Sequence, residues 1–233
     1  QWNCHPETLG PNNPLITADF PAATIAALGR RYGDCPVVYF TGAIGGLLAP
    51  PPDRIRSEQG QLLKEGDFEF ARRYGEEVAA LAVRALETAQ PIRLTPFRVS
   101  AVHTGVPMTN KIYRLARLFG VLRRDAYVWQ GEGMPLGELL RVVRDDVTSA
   151  IETEVACLQL GELCVAAIPG ELFPELVYGS IEDPAGPDAD YPEAPIEPTI
   201  ADLLPGDKWL LFGLANDEIG YILPRRQWDE RPP

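Results

Sequence analysis

The sequence is short of paired cysteines, basic residues and long apolar runs, and each shortage excludes a class of protein. Its four cysteines show no Cys-x-x-Cys spacing, which excludes a zinc knuckle and a thioredoxin-type redox motif. No apolar run approaches the length that spans a bilayer, and no signal peptide is visible. Lys and Arg number 21 against 33 Asp and Glu, and the net charge of -12 argues against nucleic acid or an anionic membrane as a partner.

The second half of the chain contains a segment that predicts a buried β-hairpin. Val155–Leu160 and Leu163–Ile168 are short apolar strands, and Gly161-Glu162 between them is a two-residue turn of the Gly-X kind. Pro169-Gly170 then ends the return strand and presents Glu171. The hairpin therefore places a carboxylate on a turn at the end of an interior strand.

Glu171 has two interpretations at this point. It begins a helix over Leu172–Val177, where the helix dipole favours a negative charge in the first turn. Alternatively it meets a cation, because a carboxylate buried without a partner is costly. The local residues alone favour the helix. Cys157 and Cys164 lie on the two arms of the hairpin but are not directly opposed, so free thiols are expected and a disulfide is not favoured.

The rest of the chain alternates apolar strands with amphipathic helices, which predicts an α/β fold with a mixed β-sheet core layered with helices. Predicted helices cover about Pro21–Tyr32, Phe68–Ala89 and Asn110–Arg124, and further predicted strands cover Leu15–Ala18, Pro36–Phe40, Pro91–Thr104 (a pair broken at Pro96) and Trp209–Leu214. The third helix is basic and amphipathic, and we interpret it as a solvated surface face rather than a membrane anchor because the remainder is acidic. Residues 183–198 are rich in Pro, Asp and Glu and predict an exposed loop over the site.

Four motifs follow one another in this chain: WNCHPETL with NPLITADF behind it, VVYFTGAIGGLLAP, AAIPGELF, and GLANDEIGY. Polar and glycine residues end each of these strands, where α/β sheets place their chemistry. In this order the motifs resemble the N-terminal domain of the neutral/alkaline ceramidase family, and the similarity covers nearly the whole chain. The resemblance implies one catalytic domain over residues 1–233, expected to be truncated at both ends, at Gln1 and at Arg231-Pro232-Pro233.

The resemblance also implies a zinc amidohydrolase. In that family two histidines, a glutamate and a tyrosine hold zinc; His5 matches the second histidine, Glu171 the glutamate and Tyr221 the tyrosine. Zinc accepts nitrogen and oxygen ligands and lowers the pKa of a bound water to about 7. The first family histidine belongs upstream of Gln1 and is absent from this chain. Another chain, a tag or His103, which we otherwise interpret as a packed or capping residue, would have to complete the shell.

One departure from the family changes the expected mechanism. The serine nucleophile of the family falls at Ala49, before Pro50, and alanine has no oxygen with which to attack. We therefore expect metal-activated water to attack an amide, either a ceramide-like N-acyl bond or another linear amide, with backbone N–H groups of Gly45 and Gly46 facing the oxyanion. Asp19, which otherwise caps the first helix, is a minor catalytic candidate.

Two other readings stay open. In the first, the chain is a non-catalytic metal- or ligand-binding homologue, and the loss of the serine favours this interpretation. Alternatively Glu171 is only a helix-start residue and Tyr221 a core tyrosine. The expected partner is a small-molecule amide or lipid, and since family members are often secreted or membrane-associated, the compartment is left open.

Overall fold

A computed structural model describes residues 1–33, 35–46, 48–51 and 53–229, and a mixed β-sheet forms its centre. The elements in chain order are α1 (Asp19–Tyr32), α2 (Phe68–Glu87), β1 (Phe97–Pro107), α3 (Lys111–Leu118), β2 (Tyr127–Val128), β3 (Ser149–Leu160), β4 (Leu163–Ala167), β5 (Glu171–Leu172), α4 (Pro174–Tyr178), α5 (Ile200–Leu203), β6 (Trp209–Phe212), β7 (Tyr221–Ile222) and a short 3₁₀ helix (Arg225–Gln227). The end Arg231-Pro232-Pro233, on which part of the expected truncation rests, lies outside the described residues.

The main sheet has the strand order β1-β3-β4-β6, and β2 pairs with the first residues of β3. β1, β2 and β4 run antiparallel to β3, whereas β6 runs parallel to β4. A smaller parallel sheet joins β5 to β7. The predicted α/β fold with a mixed sheet and helices is therefore confirmed.

The predicted hairpin is present as β3 and β4. Its turn is Gly161-Glu162, with Leu160 opposite Leu163 and Gly161 at φ +57°, a left-handed conformation that favours glycine. Cys157 and Cys164 are offset by two register positions, and their Sγ atoms lie 3.2 Å apart as free thiols. The hairpin was predictable because the turn and both apolar arms are contiguous in sequence.

The helices α1 and α2 pack together and fix the start of the chain. A Cβ at Gly75 would lie 2.4 Å from the carbonyl oxygen of Phe20, so glycine is what lets the two helices approach so closely. Phe20, Tyr74 and Cys4 belong to one buried cluster. Since Cys4 is buried there, the backbone of its neighbour His5 is held against the body of the protein.

Two predicted strands are wrong. Leu15–Ala18 and Pro36–Phe40 form no strand, and Ile16 and Val38 are exposed. The second segment ends beside an isolated bridge between Trp2 and Thr41, where the Trp2 N–H donates to the Phe40 carbonyl at 3.0 Å. The predicted pair over Pro91–Thr104 is also wrong, because a single strand, β1, begins after Pro96. Apolar β-branched residues favour the strand conformation, but a strand forms only where a neighbouring segment provides backbone hydrogen bonds.

Candidate functional site

The two-residue ladder between β5 and β7 joins two of the four motifs. Glu171 is the register partner of Tyr221, and the Glu171 N–H donates to the carbonyl of Gly220 at 3.0 Å. A Cβ at Gly170 would lie only 2.6 Å from that Gly220 oxygen, so no other residue permits this approach. Side chains at paired positions lie on the same face of neighbouring strands. The motifs AAIPGELF and GLANDEIGY therefore form one structural unit.

Glu171 does not begin a helix. It lies in β5, and α4 starts three residues later at Pro174, which occupies the first helical position where a missing N–H costs nothing. The interpretation of Glu171 as a first-turn residue is therefore wrong. Because Glu171 lies outside α4, it does not occupy the first-turn position in which a helix dipole favours a carboxylate.

His5 and Glu171 meet although they lie near opposite ends of the sequence. His5 Nε2 is 3.1 Å from Glu171 Oε2, and the two side chains are 16% and 23% exposed. The backbone of His5 is fixed by its N–H, which donates to the carbonyl of Leu48 at 2.8 Å. The N-terminal segment thus carries an imidazole to the end of the β5 strand.

The hydrogen bonds of this pair are incomplete. His5 Nε2 also lies 2.9 Å from the carbonyl oxygen of Ile44. One ring nitrogen carries at most one proton, so it cannot donate a full hydrogen bond to both oxygens. Glu171 Oε2 is buried and has no hydrogen-bond partner within the described part of the chain. A buried carboxylate oxygen without a hydrogen-bond donor is costly, so a positive partner at this position would stabilise it.

Negative charge surrounds Tyr221 as well. Burial raises the pKa of its phenol, and the carboxylates of Glu171, Glu7 and Glu218 raise it further. Burial also raises the pKa of Glu218, with Glu171 and Asp217 adding to that effect. Carboxylates gathered near one position create a potential that attracts a cation.

A polar network that the sequence did not reveal holds the loop before Tyr221. Arg124 pairs with both oxygens of Asp217, and the Thr153 hydroxyl donates to the same carboxylate at 2.6 Å. The hydrogen bond from Arg124 lowers the pKa of Asp217 to about 2. Asp217 stood in the GLANDEIGY motif, but nothing in the sequence pointed to Arg124 as its partner.

Asp217→Asn is expected to lower the free energy of unfolding by about 1–2 kcal/mol at neutral pH, because Arg124 loses a charged acceptor that is only partly solvated. The pKa of Asp217 is lowered in the folded state, so its stabilisation is full above about pH 4 and is lost as the pH falls toward about 2. Urea unfolding of both proteins at several pH values measures this. A difference between them that stays constant down to pH ~2 would contradict the ion pair.

Gly45 does not have the role that the sequence suggested. Its N–H donates to the carbonyl of Leu172 at 2.9 Å, so it is not available to an oxyanion. Gly46 is exposed, with φ +84°, and remains a candidate donor. Ala49 is exposed and directly follows Leu48, whose carbonyl accepts from the His5 backbone. Ala49 is therefore next in sequence to the residue that holds the His5 backbone.

The two remaining candidates lie apart from the His5–Glu171 pair. Asp19 accepts hydrogen bonds from the Thr8 hydroxyl at 2.6 Å, the Leu9 N–H at 3.1 Å and the Phe20 N–H at 2.7 Å, which makes it an anchor for the N-terminal segment. Its helix, α1, has no side-chain cap. His103 is on β1, two-thirds exposed, with its Nε2 3.4 Å from Glu154.

Within the ranges that the structure describes, no three His, Cys, Asp or Glu side chains converge as they do around a bound metal. The convergence that exists is His5 with Glu171, beside Tyr221 on the neighbouring strand. His103 does not join them, because it faces Glu152 and Glu154 on the main sheet.

A cavity of about 460 Å³ is lined by residues that contact this centre: Leu48 accepts from the His5 backbone, and the ring of Phe173 meets that of Tyr221. Its walls include Gly46 and Leu48 on one side and Gly186–Ala189, from the predicted 183–198 loop, on another. Three of its lining residues have a buried polar atom without a hydrogen-bond partner among the described residues; these atoms are Glu175 Oε2, Arg226 Nε and Gln227 Oε1. The cavity wall thus contains acidic, basic and amide side chains, and the cavity volume is in the size range of small-molecule sites.

Two solved structures resemble this chain. The neutral ceramidase from Pseudomonas aeruginosa aligns with a TM-score of 0.55 and 13% identity over 95% of this chain and 37% of its own. A ceramidase complexed with C2 aligns with a TM-score of 0.54 and 12% identity, over 95% of this chain and 39% of its own. No family profile matches the sequence, and no curated protein matches it. The chain has a ceramidase-like fold and spans less than two fifths of the length of these neighbours.

Proposed function

We propose that this chain carries part of the active site of a zinc-dependent hydrolase that cleaves an amide. The observation that carries the proposal is the buried Oε2 of Glu171, which has no hydrogen-bond donor among the described residues and lies 3.1 Å from His5 Nε2. The ceramidase-like fold supports the hydrolase class, and the resemblance of the motifs supports the metal.

The donor set fits zinc. Imidazole nitrogen and carboxylate oxygen are common zinc ligands, and two ligand atoms of a tetrahedral ion with bonds of about 2.0–2.1 Å lie roughly 3.3 Å apart. The observed 3.1 Å between His5 Nε2 and Glu171 Oε2 is close to that separation. To bind the metal, Nε2 would have to be deprotonated. The metal would then take the place of the contact between Nε2 and the Ile44 carbonyl.

The residues of this chain have distinct tasks in the proposed site. His5 and Glu171 would hold the ion, and Tyr221 offers a phenol oxygen from the strand paired with β5. When bound, zinc polarises the amide carbonyl and lowers the pKa of water. Gly46 lines the cavity and would offer its backbone N–H to a substrate oriented there. Ala49 provides no hydroxyl, so attack by a side-chain oxygen at that position is excluded.

The fold neighbours and the cavity support a choice of substrates to test. The neighbours are ceramidases, so a ceramide-like N-acyl amide is the first substrate to test, with other linear amides beside it. The mixture of acidic, basic and amide groups in the cavity wall favours a substrate with a polar group next to the amide.

Zinc retention tests the proposal directly. After incubation with zinc and desalting, we expect elemental analysis to find close to one ion per chain in the wild type and a large loss in His5→Ala. His103→Ala is the matched control, because it removes the chain's other histidine, which also faces a carboxylate. The set should be repeated on the chain extended upstream of Gln1, where the resemblance implies a further histidine. Equal retention in His5→Ala, or no zinc in any form, would refute the proposed site.

Ala49 favours a second candidate function, in which the same site binds a ligand without hydrolysing it. A screen of N-acyl substrates with and without added zinc separates the two. Turnover that depends on zinc supports the hydrolase, whereas zinc retention without turnover of any amide supports the binding protein.

A further inference from the structure

The helix α3 turns its apolar side to solvent. Ile112, Leu115 and Leu118 recur at three-residue spacing along one side of the helix and are 78%, 51% and 62% exposed. A surface helix of a globular protein usually packs that side against the core and turns its charges to water. Here the orientation is reversed.

The arginines of α3 explain the reversal, because they bind the body of the protein. Arg114 donates to the carbonyl of Arg144 at 2.9 Å and to Asp145 Oδ1 at 2.6 Å. Arg117 donates to the carbonyl of Leu140 at 3.0 Å. These bonds hold the polar side of α3 inward, and the apolar side is left without cover from any described residue.

The segment after α3 extends the exposed apolar surface. Phe119 and Val121 are 73% and 75% exposed, on either side of Gly120, whose φ of +69° ends the helix. We call the side chains of Ile112, Leu115, Leu118, Phe119 and Val121 the apolar patch. Five large apolar side chains this exposed and this close in sequence mark an interaction surface rather than ordinary solvent-facing residues.

Positive charge flanks the apolar patch at both ends. Lys111 and Arg123 are exposed, and neither has an ion-pair partner in the portion of the chain that the structure describes. Residues 111–124 contain five basic residues and no acidic one, in a chain whose net charge is -12. Three of the five bind the body of the protein: Arg114 pairs with Asp145, Arg124 pairs with Asp217 and Arg117 donates to Leu140. Lys111 and Arg123 are therefore the two cations left for an outside partner, and at physiological salt acidic residues farther away than roughly 8–10 Å are screened.

The apolar patch lies next to the candidate site. Tyr113 on α3 and Ile219 both pack on one buried cluster, which contains Ala126 and Ile151. Ile219 belongs to the loop that leads into Tyr221, and Arg124, at the end of the basic segment, pairs with Asp217 in that loop. A surface that docks through α3 would therefore lie beside the elements that carry Tyr221.

We propose that the apolar patch docks this protein on the surface of a bilayer that contains anionic phospholipid. Apolar side chains that project from a short helix with cations at its ends are the features of interfacial helices, in which the side chains enter the acyl boundary and Lys and Arg reach the phosphates. The charge complementarity of Lys111 and Arg123 commits the proposal to lipid phosphate. The docking proposal does not depend on zinc, so it can be tested separately from the proposed hydrolase.

Vesicle co-sedimentation tests the docking, with vesicles of phosphatidylcholine alone and of phosphatidylcholine with phosphatidylglycerol. The wild type is expected to bind the anionic vesicles, and Leu115→Glu/Leu118→Glu to bind them about ten-fold or more weakly. Leu86→Glu is the matched control, since Leu86 is 54% exposed on α2, outside the basic segment, and this variant should bind as the wild type does. Lys111→Gln/Arg123→Gln should lose the preference for anionic vesicles.

The controls make the outcome decisive. All substituted positions are exposed, so the melting temperatures should agree with the wild type. No binding of the wild type to either vesicle overturns the proposal, as does equal binding by Leu115→Glu/Leu118→Glu. Sedimentation equilibrium without vesicles adds one more outcome: a dimer that the double glutamate variant abolishes would overturn docking on lipid in favour of a second copy of this chain.

Discussion

Replacing Glu171 by glutamine is expected to lower amide hydrolysis by about 100-fold or more and to release most of the bound zinc. The substitution preserves the size of the side chain and removes its charge. In the structure that charge has an incomplete environment: its Oε2 lies 3.1 Å from His5 Nε2 and has no donor among the described residues. If a cation supplies what is missing, the neutral amide binds it far less well.

Glu154→Gln is the control for this prediction. Glu154 also faces a histidine, His103, at 3.4 Å, but the pair lies on the surface of the main sheet. Its replacement should leave zinc content and turnover unchanged. The measurements are a zinc titration and initial rates on an N-acyl substrate for both variants. If Glu171→Gln keeps full zinc content, or if both variants lose it equally, Glu171 is not the ligand.

Gly45→Ala is expected to destabilise the fold by about 3 kcal/mol and to disturb the site at the same time. The added Cβ would lie 2.5 Å from Phe173 Cδ2, 2.7 Å from the Glu171 carbonyl oxygen and 2.8 Å from the Leu172 carbonyl carbon. The last two are backbone atoms of β5, so relief requires that the strand carrying Glu171 move. Urea unfolding and zinc retention should both report the change.

Gly29→Ala provides the comparison in the same assay. A Cβ at Gly29, within α1, meets nothing within 4 Å. Alanine in a helix is preferred over glycine, so this variant should gain about 0.5–1 kcal/mol. A Gly45→Ala protein that unfolds at the wild-type urea concentration would show that β5 yields easily and that the close packing around Gly45 does not fix the site.

Local signals in the sequence predicted the hairpin and the α2 helix. In the hairpin the turn and both apolar arms are contiguous, and in α2 the apolar residues recur at helical spacing. The meeting of His5 with Glu171 had no such signal, since the two lie in distant segments. It was expected only through the resemblance of motifs. The β5–β7 ladder has two residues on each side, which is too short for any periodicity to reveal.

The orientation of α3 shows a different limit. Its sequence establishes that one side is apolar and the other basic, but not which side meets the protein. The partners that decide this are backbone carbonyls of Leu140 and Arg144, in a segment without regular structure. The predicted surface position of this helix agrees with the structure, in which α3 has no buried residue. What the sequence did not reveal is that Arg114 and Arg117 bind inward and the leucines face out.

The close approach of Gly170 to Gly220 has a consequence for how the chain can vary. A side chain at 170 would collide with the carbonyl at 220, and the Glu171 N–H donates to that same carbonyl, so the two segments cannot change independently. Natural variants of this fold should change both segments together or neither. The segments around Gly170 and Gly220, although distant in sequence, are therefore expected to vary as one unit.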